Sequence, residues 1–271
     1  MTRSPASRIR IGIGGWSYAP WRGPFYPEGL VQRRELAHAS RHVTSIEINS
    51  TFYGAQRAES FARWHDETPD DFVFSVKAPR FATHRKALAD ADASIARFID
   101  GGLTRLGAKL GPINWQFDPG KQFDPDDFVR FLELLPAHAD GLRLRHALEV
   151  RHDSFRTPEF VALARAHGAA IVVSGDSRYP LIADATAPFV YVRIMGTTDA
   201  QPLGYAPAAL DRWAARALDW AAGGAPDDLP TLDTPHAAKG GRDVFLYVIS
   251  GHKVRNPAAA MALIERVRTA A

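Results

Sequence analysis

The stretch Ser45-Ile46-Glu47-Ile48-Asn49-Ser50-Thr51-Phe52-Tyr53 decides how this chain is read. Ile46 and Ile48 alternate with Glu47, Asn49 and Thr51. On a strand, such alternation sends the two sets to opposite faces. The apolar face packs under helices. A carboxylate, an amide and a hydroxyl aligned on the other face are costly when buried without partners, so they suit the rim of a site. Leu148-Glu149-Val150-Arg151-His152 and Val190-Tyr191-Val192-Arg193-Ile194 repeat the design.

Working outward, eight segments read as strands: 9–17, 45–51, 71–79, 106–117 (partly extended), 145–152, 169–176, 189–196 and 243–251. Helical patterns fall between most of them. Phe128, Phe131, Leu132 and Leu135 form one apolar stripe, and Ile95, Phe98 and Ile99 another; Trp213, Ala214, Ala217 and Leu218 mark a further helix face. Asp124-Pro125, Thr157-Pro158 and Asn256-Pro257 each place a capping residue before a proline suited to the first helical position. Alternating strands and helices point to parallel βαβ units. Eight of them predict an α/β protein with a single (β/α)8 TIM-type barrel over 1–271, rather than a doubly wound open sheet. The helix after strand six, crowded by Pro180 and Pro188, is expected to shrink to a turn. Residues 1–8 read as a tail. Residues 223–242, rich in Gly, Pro and Asp, read as a long, loosely packed loop.

The composition narrows the function classes. Of 271 residues, 46% are hydrophobic, enough for a sizeable core. A formal charge of +3 permits an anionic ligand without demanding nucleic acid. No cysteine is present, which removes disulfides, thiolate metal sites and a cysteine nucleophile. The first residues lack a signal-peptide core, and no stretch approaches the ~18 apolar residues of a membrane helix. A cytoplasmic protein without a membrane partner is expected.

Barrel sites lie at the C-terminal ends of the strands. That rule selects Trp16 and Tyr18 after strand one, Glu47, Asn49 and Tyr53 on strand two, and Lys77, Arg80 and His84 around the end of strand three. It adds Gln116 on strand four, Glu149, Arg151 and His152 on strand five, Asp176 on strand six, and Arg193 on strand seven. If Ile46, Val76, Leu148, Val150 and Val192 face the helices, then Glu47, Asn49, Lys77, Glu149, Arg151 and Arg193 face the barrel axis. Opposite charges would meet there. The bland reading is a buried ion-pair network that plugs the barrel. The functional reading is a polar ligand held by these charges. The aromatics after strands one and two are read mostly as loop packing, with Trp16, Tyr18 and Tyr53 as candidates for a wall against substrate. No cofactor is expected. A divalent metal on His84, His152 or His252 with Glu47, Glu149 or Asp176 stays open, although no two of these histidines have zinc-motif spacing.

The ordered set of motifs resembles the domain of unknown function 72 family, the YecE-like proteins. It comprises Gly14-Gly15-Trp16-Ser17-Tyr18, Trp21-Arg22-Gly23 with Phe25-Tyr26-Pro27, and Glu47-Ile48-Asn49-Ser50-Thr51-Phe52-Tyr53. It continues with Phe74-Ser75-Val76-Lys77-Ala78-Pro79-Arg80 and Thr83-His84, Lys109-Leu110-Gly111-Pro112 with Gln116, Glu149-Val150-Arg151-His152, and Tyr191-Val192-Arg193. The resemblance implies a TIM-type barrel and no particular activity. The chain departs from the family pattern twice. Phe155 stands where the family usually has tryptophan. Tyr247-Val248-Ile249-Ser250-Gly251-His252 replaces an aromatic pair followed by asparagines.

The leading expectation is an enzyme acting by acid/base chemistry on a small anionic substrate, a phosphorylated sugar or sugar acid. Arg151, Arg193 and Lys77 would hold the anion. Glu149 and Glu47 would be the acid/base pair, with His84 or His152 as alternatives. Isomerisation, lyase chemistry and hydrolysis all stay open. The competing classes are a metal-dependent nucleic-acid-processing enzyme and a non-catalytic ligand-binding barrel.

Overall fold

The computed structural model describes residues 4–234 and 236–270. Of the expected tail, residues 1–3 lie outside them, and Ala6–Arg8 form one 3-10 turn. Pro235 of the expected loop also lies outside them.

Eight parallel strands follow in chain order: β1 Ile9–Gly14, β2 Ser45–Ile48, β3 Val73–Lys77, β4 Leu110–Gln116, β5 His146–Glu149, β6 Ala170–Gly175, β7 Phe189–Ile194 and β8 Asp243–Val248. Each lies beside its sequence neighbours, and Ile9 of β1 meets Val244 of β8 to close the barrel. The outer helices are α1 Glu35–Ala39, α2 Ala58–Asp66, α3 Asp92–Ile99, α4 Pro125–Glu133, α5 Pro158–Ala166, α6 Pro207–Ala222 and α7 Asn256–Thr269. Single turns at Ser50–Tyr53 and Arg80–Thr83 follow β2 and β3 directly. No helix lies between β6 and β7 among the described residues, as the two prolines there predict.

Two of the three predicted caps form. Asp124 accepts from the Asp127 N–H at 3.2 Å and Thr157 from the Phe160 N–H at 3.2 Å. The third does not. Asn256 is the first residue of α7, and its Oδ1 accepts from Thr197 Oγ1 at 2.8 Å, tying the helix to the end of β7. A short hairpin, His138–Ala139 with Leu142–Arg143, has no counterpart in the strand reading. Its signal was Asp140-Gly141, whose positive φ values of 47° and 77° suit a tight hairpin turn.

The alternation read in the sequence divides the core. Ile46, Val76, Leu148, Val150 and Val192 join the apolar layer between strands and helices. A second cluster fills the barrel itself. Phe189 and Phe245 meet at 6.0 Å near the N-terminal end, and Tyr191 and Tyr247 at 5.2 Å above them. Ser45 Oγ bonds Tyr247 Oη at 2.7 Å and Ser75 Oγ bonds Tyr191 Oη at 2.8 Å. Gly12 completes this level because nothing larger fits: a Cβ there would lie 1.9 Å from the Ser45 carbonyl oxygen. Gly12→Ala should therefore cost about 1–3 kcal/mol in urea unfolding, as over-packing does, and an unchanged midpoint would mean the strand can shift freely.

The loop 223–242 is more firmly attached than its composition predicts. Leu229 is buried, and Asp184 accepts the N–H groups of Leu232 and Asp233 at 2.8 and 3.0 Å. Buried Arg242 donates to the carbonyls of Gly223 and Gly224, each at 2.8 Å. The segment packs on the helix-free connector 176–188. No helix among the described residues is long and apolar enough to cross a membrane.

Candidate active site at the barrel mouth

Above the tyrosine level, the axis-facing positions of five strands converge. Glu47 and Glu149 are fully buried, and Arg193 lies between them. Its Nη1 donates to both oxygens of Glu149 at 2.7 Å, and its Nη2 to Glu47 Oε1 at 3.1 Å. Asn114 Nδ2 bridges the same two carboxylates, 3.0 Å from Glu149 and 3.3 Å from Glu47. Gln116 Nε2 reaches Glu149 at 2.8 Å, and Tyr191 Oη reaches Glu47 at 2.5 Å. Arg151 adds two bonds to Glu149 Oε1, at 3.1 and 2.8 Å, and stacks on Tyr179 with Cζ 4.3 Å from the ring centre.

This wrapping changes the roles expected of the two glutamates. Burial opposes the charge on Glu149, but Arg193, then Arg151 and Lys77, outweigh it and hold its carboxyl well below the usual carboxylate range. With six donated bonds it is a weak base. Glu149 positions its neighbours, as does Glu47. Burial followed by the neighbouring Glu47 pushes the Tyr191 hydroxyl well above its ordinary range. Arg193 departs from the anion-holding role too. It is 3% exposed, its charge is divided between two carboxylates, and it braces the barrel.

Lys77 is the exception in this network. It is 7% exposed, yet no hydrogen bond or ion pair reaches its Nζ among the described residues. The ammonium sits 3.9 Å from the centre of the Phe52 ring. Burial first, and Arg193 second, push it down to about 8, with Glu149 and Glu47 pulling the other way. His84 packs edge-on against the same Phe52 ring at 5.4 Å and lies 3.4 Å from Asp118. Burial lowers its pKa; Asp118 resists, while Lys77, Arg151 and Arg80 add to the lowering. Three buried polar atoms near this level, Asn114 Oδ1, Ser174 Oγ and Arg193 Nε, have no protein partner.

The remaining candidates divide. A cleft of about 670 Å³ is lined by Trp16, Asn49, Tyr53, Arg63, Lys253 and the Gly14–Gly15 backbone among others, and by none of Glu47, Lys77, Glu149, Arg151 or Arg193. No carboxylate lines it. Trp16 also packs edge-on to Trp64 at 5.1 Å, and Tyr53 is 67% exposed. Tyr18 carries the Lys253 ammonium 4.3 Å from its ring centre. Arg80 is exposed, over Phe81. His152 and Asp176 each make a local contact. His152 Nδ1 accepts the Ser154 N–H at 3.2 Å and caps a turn, and Asp176 accepts from Trp213 Nε1 at 2.8 Å. His252 lies 3.4 Å from Asp199. Among the described residues no three His, Asp or Glu side chains come together as metal ligands.

Sequence reasoning missed Asn114, Ser45, Ser75 and Glu35. Asn114 shares the parity of Gln116 two residues on, so strand periodicity carried the signal. Glu35 is fully buried on α1 and holds Arg22 at 2.9 Å and Ser17 at 3.1 Å, which fixes the loop after β1.

Comparison with known proteins accords with this architecture. The chain is 30% identical over 150 residues to the UPF0759 protein YecE of Escherichia coli K12, covering 54% of this chain and 50% of that protein. It is 34% identical over 157 residues to the UPF0759 protein YunF of Bacillus subtilis, covering 56% and 54%. The chain thus spans about half the length of the curated relatives it matches. A crystal structure of a DUF72 family protein from Thermotoga maritima superposes with a TM-score of 0.71 at 20% identity, over 97% of this chain and 98% of that one. The sequence profile described as protein of unknown function DUF72 matches residues 10–271, and the chain belongs to that family.

Proposed function

We propose that the barrel mouth is the active site of an enzyme acting by acid/base chemistry on a small anionic substrate, a phosphorylated sugar or sugar acid. The observation that carries this reading is Lys77, a buried amine on the barrel axis with no acceptor of its own. Three cations, Arg193, Arg151 and Lys77, face two carboxylates, Glu47 and Glu149. An incoming anion balances that set, and Arg151 offers it an Nη1 without a described partner. Lys77, pushed to about 8, exchanges a proton near neutral pH, whereas Glu149 is held well below the usual carboxylate range. His84 is the second proton carrier. The acid-free cleft with Lys253 and Arg63 supplies room for the body of the substrate.

Calorimetric titration with inorganic phosphate and sugar phosphates tests the reading. Arg151→Met should weaken binding about ten- to a hundredfold, because a hydrogen bond to a charged group contributes roughly 1.5–3 kcal/mol. Absence of binding by the parent at about millimolar ligand, a free energy near −4 kcal/mol, would remove the anion site.

A further inference from the structure

We infer that Lys77 is a covalent catalyst, whose Nζ adds to the carbonyl of an aldehyde or ketone substrate to form an imine. The inference deepens the proposed function and rests on it for the anionic character of the substrate.

A lysine that forms an imine has three requirements. It must be held in place, it must be unprotonated part of the time, and no carboxylate may grip it. Most other buried cations in the structure are gripped by an oxygen acceptor; Lys253, over the Tyr18 and Trp21 rings, is an exception, and it is only half-buried. Arg193 and Arg151 are bound to Glu149. Lys121 is 2.6 Å from Asp127, and Lys109 donates to the carbonyls of His65 and Thr68 at 2.6 and 2.8 Å. Lys77 is held by its strand and by the Phe52 ring, a contact that positions an ammonium without taking up a lone pair. It is the last residue of β3 and pairs across the strands with Asn114, whose Oδ1 has no partner. The guanidinium groups of Arg193 and Arg151 disfavour a further positive charge there.

The step balances without any added reagent. The neutral amine attacks the carbonyl carbon, the C–N bond forms, and the carbonyl oxygen takes a proton to give a carbinolamine. The hydroxyl then leaves as water with a second proton, and the nitrogen lone pair forms the C=N bond. His84, on the same Phe52 ring, is placed to move these protons. Once the imine is protonated it draws electrons from an adjacent C–H or C–C bond. That favours isomerase or lyase chemistry on a carbonyl compound over simple hydrolysis.

The chain makes the test sharp, because it holds six lysines: Lys77, Lys86, Lys109, Lys121, Lys239 and Lys253. The full-length protein is treated at pH 7 with pyridoxal 5′-phosphate, an aldehyde that carries a phosphate, then reduced with borohydride and mapped by mass spectrometry. Glyoxylate with cyanoborohydride serves as the aldehyde without phosphate. With both probes Lys77 should be modified about tenfold faster or more than the exposed Lys86 and Lys239. Inorganic phosphate should slow its modification by the first. Modification of Lys77 no faster than of Lys86 and Lys239 overturns the inference, and if phosphate still binds calorimetrically the anion site stands without it. Fast modification of Lys77 that phosphate neither slows nor accompanies with binding keeps the imine and removes the anion reading.

Discussion

Replacing Arg193 with methionine should destabilise the barrel by about 3–5 kcal/mol at pH 7, the usual cost of leaving buried charges without their partner. The guanidinium joins carboxylates on two distant strands, both fully buried, and methionine returns neither bond. Urea unfolding measures the loss. The sign of its pH dependence follows from Glu149. In the parent its carboxyl is held below the ordinary 4.5, so its contribution is present above that pH and disappears as pH falls below it. In the variant Glu149 loses its main counter-charge and its pKa rises. The gap between the two proteins should then narrow on acidification. A variant with the parent's stability and only a weaker affinity for anions would show that Arg193 faces the ligand.

Lys77→Met should act in the opposite direction. An amine lowered from 10.5 to about 8 means the unfolded chain binds more protons than the folded one between those values. Stability therefore rises with pH across that window, and below pH 8 the parent carries a penalty. At about 1.4 kcal/mol per pKa unit the penalty is at most about 3.5 kcal/mol, of which the cation–π contact with Phe52 returns part. Methionine removes it, so the variant should be about 2–3 kcal/mol more stable at pH 7, with the difference fading toward pH 10.5. Loss of turnover together with a gain in stability is the mark of a functional residue kept at structural cost. A variant less stable at pH 7 would make Lys77 part of the brace.

The difference between these two cations was not legible in the sequence. Alternation placed Glu47, Lys77, Glu149 and Arg193 on the axis, and it did so because a period of two leaves no other face. The barrel followed from the same pattern, and so did the missing helix between Pro180 and Pro188. Which cation met which carboxylate depended on side-chain torsions and strand stagger, which periodicity does not encode. His152 shows the limit at the end of a strand. One residue beyond Arg151 the backbone is still extended, but it leads into the Asp153–Phe155 turn, and the His152 ring accepts the Ser154 N–H as its cap. Asn256 fails as a cap for a similar reason, since Thr197, distant in sequence, takes its oxygen.

The brace also fixes when the molecule can be finished. Glu47 and Glu149 leave the ribosome well before Arg193, the cation whose charge they share. A nascent chain that ends short of β7 carries both acids toward a common axis with Arg151 and Asn114 but without the guanidinium that both acids share. Closing a smaller ring at that stage would bring the two acids together with less counter-charge than the finished barrel supplies. With β1 waiting for β8, whose first partners are Ile9 and Val244, the last strands made are those that complete both the charge balance and the wall. Synthesis order and electrostatics thus favour the same late step, and a translation pause after β7 would expose the half-built barrel less than a pause before it.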